Sequence, residues 1–133
     1  MYIEIKTWGR EKMYLFHATV DSNKENILKN GLRLANKNSI MYDGSKTKGK
    51  IFLANDYDIA YSFVESSDTD DEKIIEQIEN DKIVVFKIDI SKLNQSHLHN
   101  DKNIILEEGE KPYSFEYTEN ISPDYLQICE KED

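Results

Sequence analysis

The stretch Ile83–Ile90 (IVVFKIDI) constrains the fold more than any other part of the chain. β-Branched residues crowd it, and its second half alternates apolar with polar, so it reads as a strand with a buried face. Such a strand is not stable alone and needs partners. Three short runs offer them: Met13–His17 (MYLFH), Ile51–Ala54 (IFLA) and Tyr113–Thr118 (YSFEYT). In the last of these, alternation sends Tyr113, Phe115 and Tyr117 to one side and Ser114, Glu116 and Thr118 to the other. Short helices are expected between the strands. One spans Asp21–Asn30, with Asp and Ser at its capping position and Gly31 as a left-handed exit. A second runs from Asp58 to Val64 behind Asn55 or Asp56 as cap. A third covers Asp70–Asn80, with acids in its first turn and Ile74, Ile75 and Ile78 as an apolar stripe. Strands mixed with short helices, without strict alternation, indicate an α+β fold.

The 133 residues suit one domain spanning 1–133, and 38% hydrophobic residues are enough for one core. No run approaches the ~20 apolar residues of a membrane-spanning helix. The opening residues lack the order of a signal peptide, so a cytoplasmic location is expected. Cys129 is the single cysteine, which excludes an internal disulfide and thiolate zinc clusters. Seventeen Lys and Arg face 26 Asp and Glu, a formal charge of -9. A groove that tracks nucleic-acid phosphates needs the opposite balance. Eight acids fall between Glu65 and Asp81. They read first as a solvated face, and second as a surface for a basic partner. The polar, lysine-rich segment Asn36–Lys50 has the character of a functional loop. No GxGxxG or GxxxxGK[ST] follows a strand.

Some residues carry chemistry. His97 and His99 form an HxH pair in a polar stretch, but no third zinc ligand is evident, and they read as loop histidines. His17 closes an apolar strand beside Ala18 and Thr19. Its position fits equally a half-buried structural histidine and a ring at a ligand cleft. Glu116, between aromatics, reads by itself as part of an exposed strand face. A carboxylate there would also orient a ribose hydroxyl or stabilise a positive transition state. Glu119 competes with it from a turn. Tyr57 and Tyr61, four apart on a helix, share a face and belong either to the core or to the wall of a flat-ring site.

In order along residues 13 to 128, YLFHAT, ENILKNGL, GKIFLANDYDIAYSF, IVVFKIDISKL and EYTENISPDYLQI resemble the motifs of the ADP-ribosyltransferase-like superfamily. That group includes poly- and mono-ADP-ribosyltransferases and RNA 2'-phosphotransferases. The resemblance implies a split α+β core of two facing antiparallel sheets around a cleft for NAD, used as a substrate. It implies that His17 holds the nicotinamide-side ribose with Thr19 in support, and that Ala18 and Phe52 line the cleft. It assigns the stacking aromatic to Tyr61 or Tyr57, and the catalytic glutamate to Glu116, with Glu119 in reserve. Ala18 stands where glycine is usual.

The expected function is therefore NAD-dependent mono-ADP-ribosylation of a protein or nucleic-acid target, with no metal and no membrane partner. A non-catalytic NAD or ADP-ribose binder, or an acidic inhibitor of the kind a phage encodes, is the alternative. RNA 2'-phosphotransfer comes third, because Arg10 and Arg33 are the only arginines.

Overall fold

The computed structural model of the chain describes residues 13–34, 49–67, 69–101, 107–110 and 112–130. Most of the lysine-rich segment Asn36–Lys50, residue Arg10, and Asp68 within the acidic stretch lie outside them. The described strands are β1 (Tyr14–Val20), β2 (Ile51–Ala54), β3 (Ile83–Asp89), β4 (Leu98–Asn100), β5 (Ser114–Tyr117) and β6 (Leu126–Cys129). Three α-helices accompany them: α1 (Lys24–Asn30), α2 (Tyr57–Glu65) and α3 (Glu72–Glu79). The fold is α+β, as expected. Its six strands form one antiparallel sheet in the order β4-β5-β2-β1-β3-β6.

The best strand of the sequence, β3, lies between β1 and β6, and β1 pairs with it along its whole length, from Tyr14↔Asp89 to Val20↔Ile83. The next junction is different. β1 and β2 share one registered pair, Phe16↔Ala54, whereas β2 and β5 pair at every residue from Ile51↔Tyr117 to Ala54↔Ser114. Two well-laddered halves, β4-β5-β2 and β1-β3-β6, thus meet at a narrow seam.

Alternation along the strands divides the sheet's residues between two faces. Leu15, Leu53, Phe86, Ile88, Phe115 and Tyr117 belong to the main core, to which α1 adds Ile27. The buried phenol of Tyr117 accepts a hydrogen bond from the Asn94 N–H at 2.8 Å, so the core leaves this polar group paired. On the opposite face Ala54 and Val85 pack with Ala60 of α2, flanked by Phe16, Ala18, Tyr57, Tyr61 and Phe63. This smaller cluster places α2 over the seam.

Local signals explain where most elements begin. Asp56 caps α2 by accepting from the Asp58 and Ile59 N–H groups, and Asp71 caps α3 in the same way. The expected Asp–Ser cap of the first helix is not used. Asp21–Asn23 forms a 3-10 turn, and α1 starts at Lys24 without a side-chain cap. Ser22 instead donates its N–H to Gln77 of α3, a tertiary contact, and Asn23 donates to Thr19 four residues back.

Gly31 ends α1 at φ 80° and ψ -174°, in backbone space that is nearly exclusive to glycine. A Cβ there would collide with the Ile121 carbonyl and Pro123. The same approach lets Leu32 and Ile121 exchange two backbone hydrogen bonds, at 2.9 and 2.8 Å. Gly31→Ala is expected to lower the unfolding free energy by at least about 2 kcal/mol, from backbone strain and overpacking together. Gly49 also has positive φ, but nothing lies within 4 Å of its added Cβ. Gly49→Ala should therefore cost less in the same thermal melt, and equal costs would remove the steric account.

Candidate functional site

His17 stands at the middle of β1, opposite Phe86 in the β3 ladder. Its Nδ1 lies 2.9 Å from the Phe52 carbonyl oxygen, across the seam on β2. A carbonyl only accepts, so Nδ1 carries the proton and donates, which in the neutral ring leaves Nε2 as an acceptor. Desolvation lowers the imidazole's affinity for a proton below its ordinary range, and the bond to the Phe52 carbonyl offsets part of that. Neutral His17 is the form that can accept from a hydroxyl.

A pH dependence follows. The unfolded imidazole titrates near 6.5, and the folded one only at lower pH. Between those values the unfolded chain binds more protons, so acidification below about 6.5 destabilises the fold, and the contribution is intact above it. His17→Gln should make the loss of stability between pH 7 and 5 shallower in urea titrations. Parallel curves for the two proteins would overturn this.

Glu116 is not on an exposed face: it is 3% exposed, in the middle of β5. It stands directly opposite Phe52 on one side and His99 of β4 on the other. Lys50 Nζ lies 3.1 Å from its Oε1. Lys50 is two residues before Phe52 and so leans to the same face. A row Phe52, Glu116 and His99, with Lys50 beside it, thus crosses three strands.

The pleat assigns His17 and Glu116 opposite senses. His17 alternates with Phe16 and goes with Leu15 and Phe86, while Glu116 goes with Phe52 and Ala54. The seam keeps them near one another, because the His17 ring bonds the backbone of the very residue that faces Glu116. Two interstrand spacings, about 10 Å, separate their backbones.

The remaining residues fall into two groups. Ala18, half-buried on β1, packs in the cluster under α2 with Tyr57 and Tyr61. Those two rings stack with centroids 6.1 Å apart and planes 21° from parallel. The Tyr61 hydroxyl donates to Asp81 at 3.2 Å. Burial pushes both phenols upward first and nearby negative groups add to it, so both stay neutral. Phe52 is half-buried at the centre. Thr19 is engaged elsewhere, since its hydroxyl oxygen accepts from Asn23 at 2.9 Å. Glu119 lies past the end of β5 and comes within 3.9 Å of His97 Nε2, away from Phe52. His97, in the 3-10 turn before β4, also meets Thr118 Oγ1 at 2.9 Å.

Sequence reasoning takes Lys50 only as part of the lysine-rich segment and His99 as a loop histidine, and it misses Phe16 and Phe63. Continuing the alternation of IFLA back by one pair would have put Lys50 on the Phe52 face. His99 had no such signal, because β4 is three residues of mixed polarity and only its register shows where the ring stands. Among the described residues no group of three His, Cys, Asp or Glu side chains is placed to hold a metal ion. No described helix is long and apolar enough to cross a membrane. Compared with known protein families and with curated proteins, the chain matches none.

Proposed function

We propose that the protein is an NAD-dependent mono-ADP-ribosyltransferase that modifies a macromolecular target. The observation that supports the reading lies at the seam: His17 bonds the Phe52 carbonyl, and Glu116 stands opposite Phe52 in the ladder, its side chain on the other face of the sheet from His17. The seam is also where a sheet would open into the split core of two facing sheets that the sequence resemblance implies. His17, with Nδ1 committed to the backbone, offers Nε2 to a ribose hydroxyl. Tyr57, Tyr61 and Phe52 supply aromatic surface for the nicotinamide ring, and Ala18 supplies a small floor between them.

In the reaction the bond between the ribose carbon and the nicotinamide nitrogen breaks, and nicotinamide departs with the electron pair. The ribose carbon gains positive character, which the Glu116 carboxylate stabilises, and it then bonds to a nucleophile on the target that gives up a proton. Incubation with NAD and a cell lysate should release nicotinamide and label a macromolecule through the adenosine half. If NAD binds but no nicotinamide is released, the transferase reading fails.

A second reading is favoured by one observation, the enclosure of Glu116 and its pairing with Lys50. A carboxylate so engaged suits a module that binds NAD or ADP-ribose without turning it over. NAD binding without nicotinamide release is its signature. Absence of binding to either compound would overturn both readings.

A further inference from the structure

The Lys50–Glu116 pair is lopsided. The carboxylate is 3% exposed, while the lysine side chain is 28% exposed, so one end of the pair is enclosed and the other reaches solvent. A solute arriving at this face meets the ammonium first. Lysine is also the mobile partner: a compact charge with three donors on a flexible four-carbon stem. Glu116 is fixed on a strand paired on both sides, with Phe52 and His99 as its direct ladder neighbours.

These facts set up a competition. A diphosphate brings more negative charge than a carboxylate and attracts the same ammonium. Moving Lys50 away, however, leaves an enclosed carboxylate with a lost partner, which is costly. A ligand that presents only a diphosphate must therefore bear that cost. A ligand that presents a diphosphate together with the nicotinamide-side ribose lowers it, because the hydroxyls of that ribose donate to Glu116 in the lysine's place. The two halves of a dinucleotide thereby reinforce each other through one side chain.

We infer that Lys50 couples recognition of the substrate's diphosphate to the release of Glu116 toward the ribose. The inference rests on the dinucleotide reading above and assigns Lys50 a positioning role in it. It yields changes of opposite sign for a probe that has the diphosphate but no nicotinamide ribose. ADP should bind Glu116→Gln about five- to tenfold more tightly than wild type, because the ammonium no longer has to leave a charged partner. ADP should bind Lys50→Gln about tenfold more weakly, with a smaller loss of affinity as salt is raised. Removal of the carboxylate's charge favours an anion by itself, so a double variant at both positions, which shares that change and lacks the ammonium, isolates what Lys50 contributes.

The measurement is calorimetric titration of the full chain with ADP and, separately, with NAD, at two salt concentrations. Because Lys50→Gln leaves Glu116 without this partner, its folding is checked by thermal melting. The double variant Lys50→Gln/Glu116→Gln, a neutral pair, is compared with Glu116→Gln alone. Tighter ADP binding in Glu116→Gln that the double variant abolishes supports the inference. ADP binding in Glu116→Gln equal to or weaker than wild type overturns it, as does equal ADP affinity in the double and single variants. Wild type that binds neither NAD nor ADP removes the dinucleotide reading itself, whereas wild type that binds both without these changes removes only the part given to Lys50.

Discussion

Glu116→Gln is expected to slow nicotinamide release about 10²- to 10³-fold, while NAD affinity changes only a few-fold. The substitution keeps the size and planarity of the side chain and removes its charge. Positive character at the ribose carbon exists mainly in the transition state, so the charge matters there and little in the bound ground state. Loss of one well-placed electrostatic group in an enclosed site typically costs about 3–4 kcal/mol of barrier. Glutamine can still accept from Lys50, which protects the fold and makes a melting temperature near wild type part of the expectation. Single-turnover release of nicotinamide, with calorimetry on the same preparations, separates the two effects. A near wild-type rate would take the carboxylate out of the chemistry. A matching loss in Glu119→Gln instead would move the role to the turn beyond β5, against its pairing with His97.

Phe86→Ala should lower the unfolding free energy by about 3–5 kcal/mol. Phe86 is 0% exposed and among the largest side chains fully enclosed in the core. It sits on β3 with His17 opposite on β1 and Ile128 opposite on β6. Truncation leaves a cavity that two laddered strands prevent from collapsing. For a domain whose total stability is about 5–15 kcal/mol, that is a large share. Urea unfolding should show a lower midpoint with an unchanged slope. Because the cavity lies beside the strand that carries His17, NAD binding should weaken in the variant even where it is fully folded. A loss below about 1 kcal/mol would mean that the core refills, and Phe86 is then not the strand's anchor.

What could be read in the sequence depended on how local its cause was. β3 declared itself through β-branched content, α2 through a cap at Asn55 or Asp56, of which the structure uses Asp56, and α3 through its acidic first turn and isoleucine stripe, with Asp71 as the cap that the structure adds. β1 runs three residues past the expected Met13–His17, because Ala18, Thr19 and Val20 are held extended by Val85, Val84 and Ile83 of β3. No pattern within the segment itself reports that pairing. The burial of Glu116 was hidden for the same reason. Alternation shows which way a side chain points, but not whether another strand lies beyond, and β4 is too short and polar to be noticed. The Asp21–Ser22 cap failed in the reverse sense, since a good local signal lost to contacts with Gln77 and Thr19. His17 is expected at the end of a strand and stands instead at the middle of β1, and its partner, the Phe52 carbonyl, is 35 residues away, so only the folded chain supplies it.

Phe16↔Ala54 is the one registered pair between two three-stranded panels, and the His17 bond to the Phe52 carbonyl crosses the same seam. A junction with so short a ladder resists shear less than the full ladders on either side of it. Small rotations there would change the spacing between Ala18 of β1 and Phe52 of β2. A molecule bound across the seam would act as a cross-brace, slowing amide exchange in β1 and β2 more than in the outer strands.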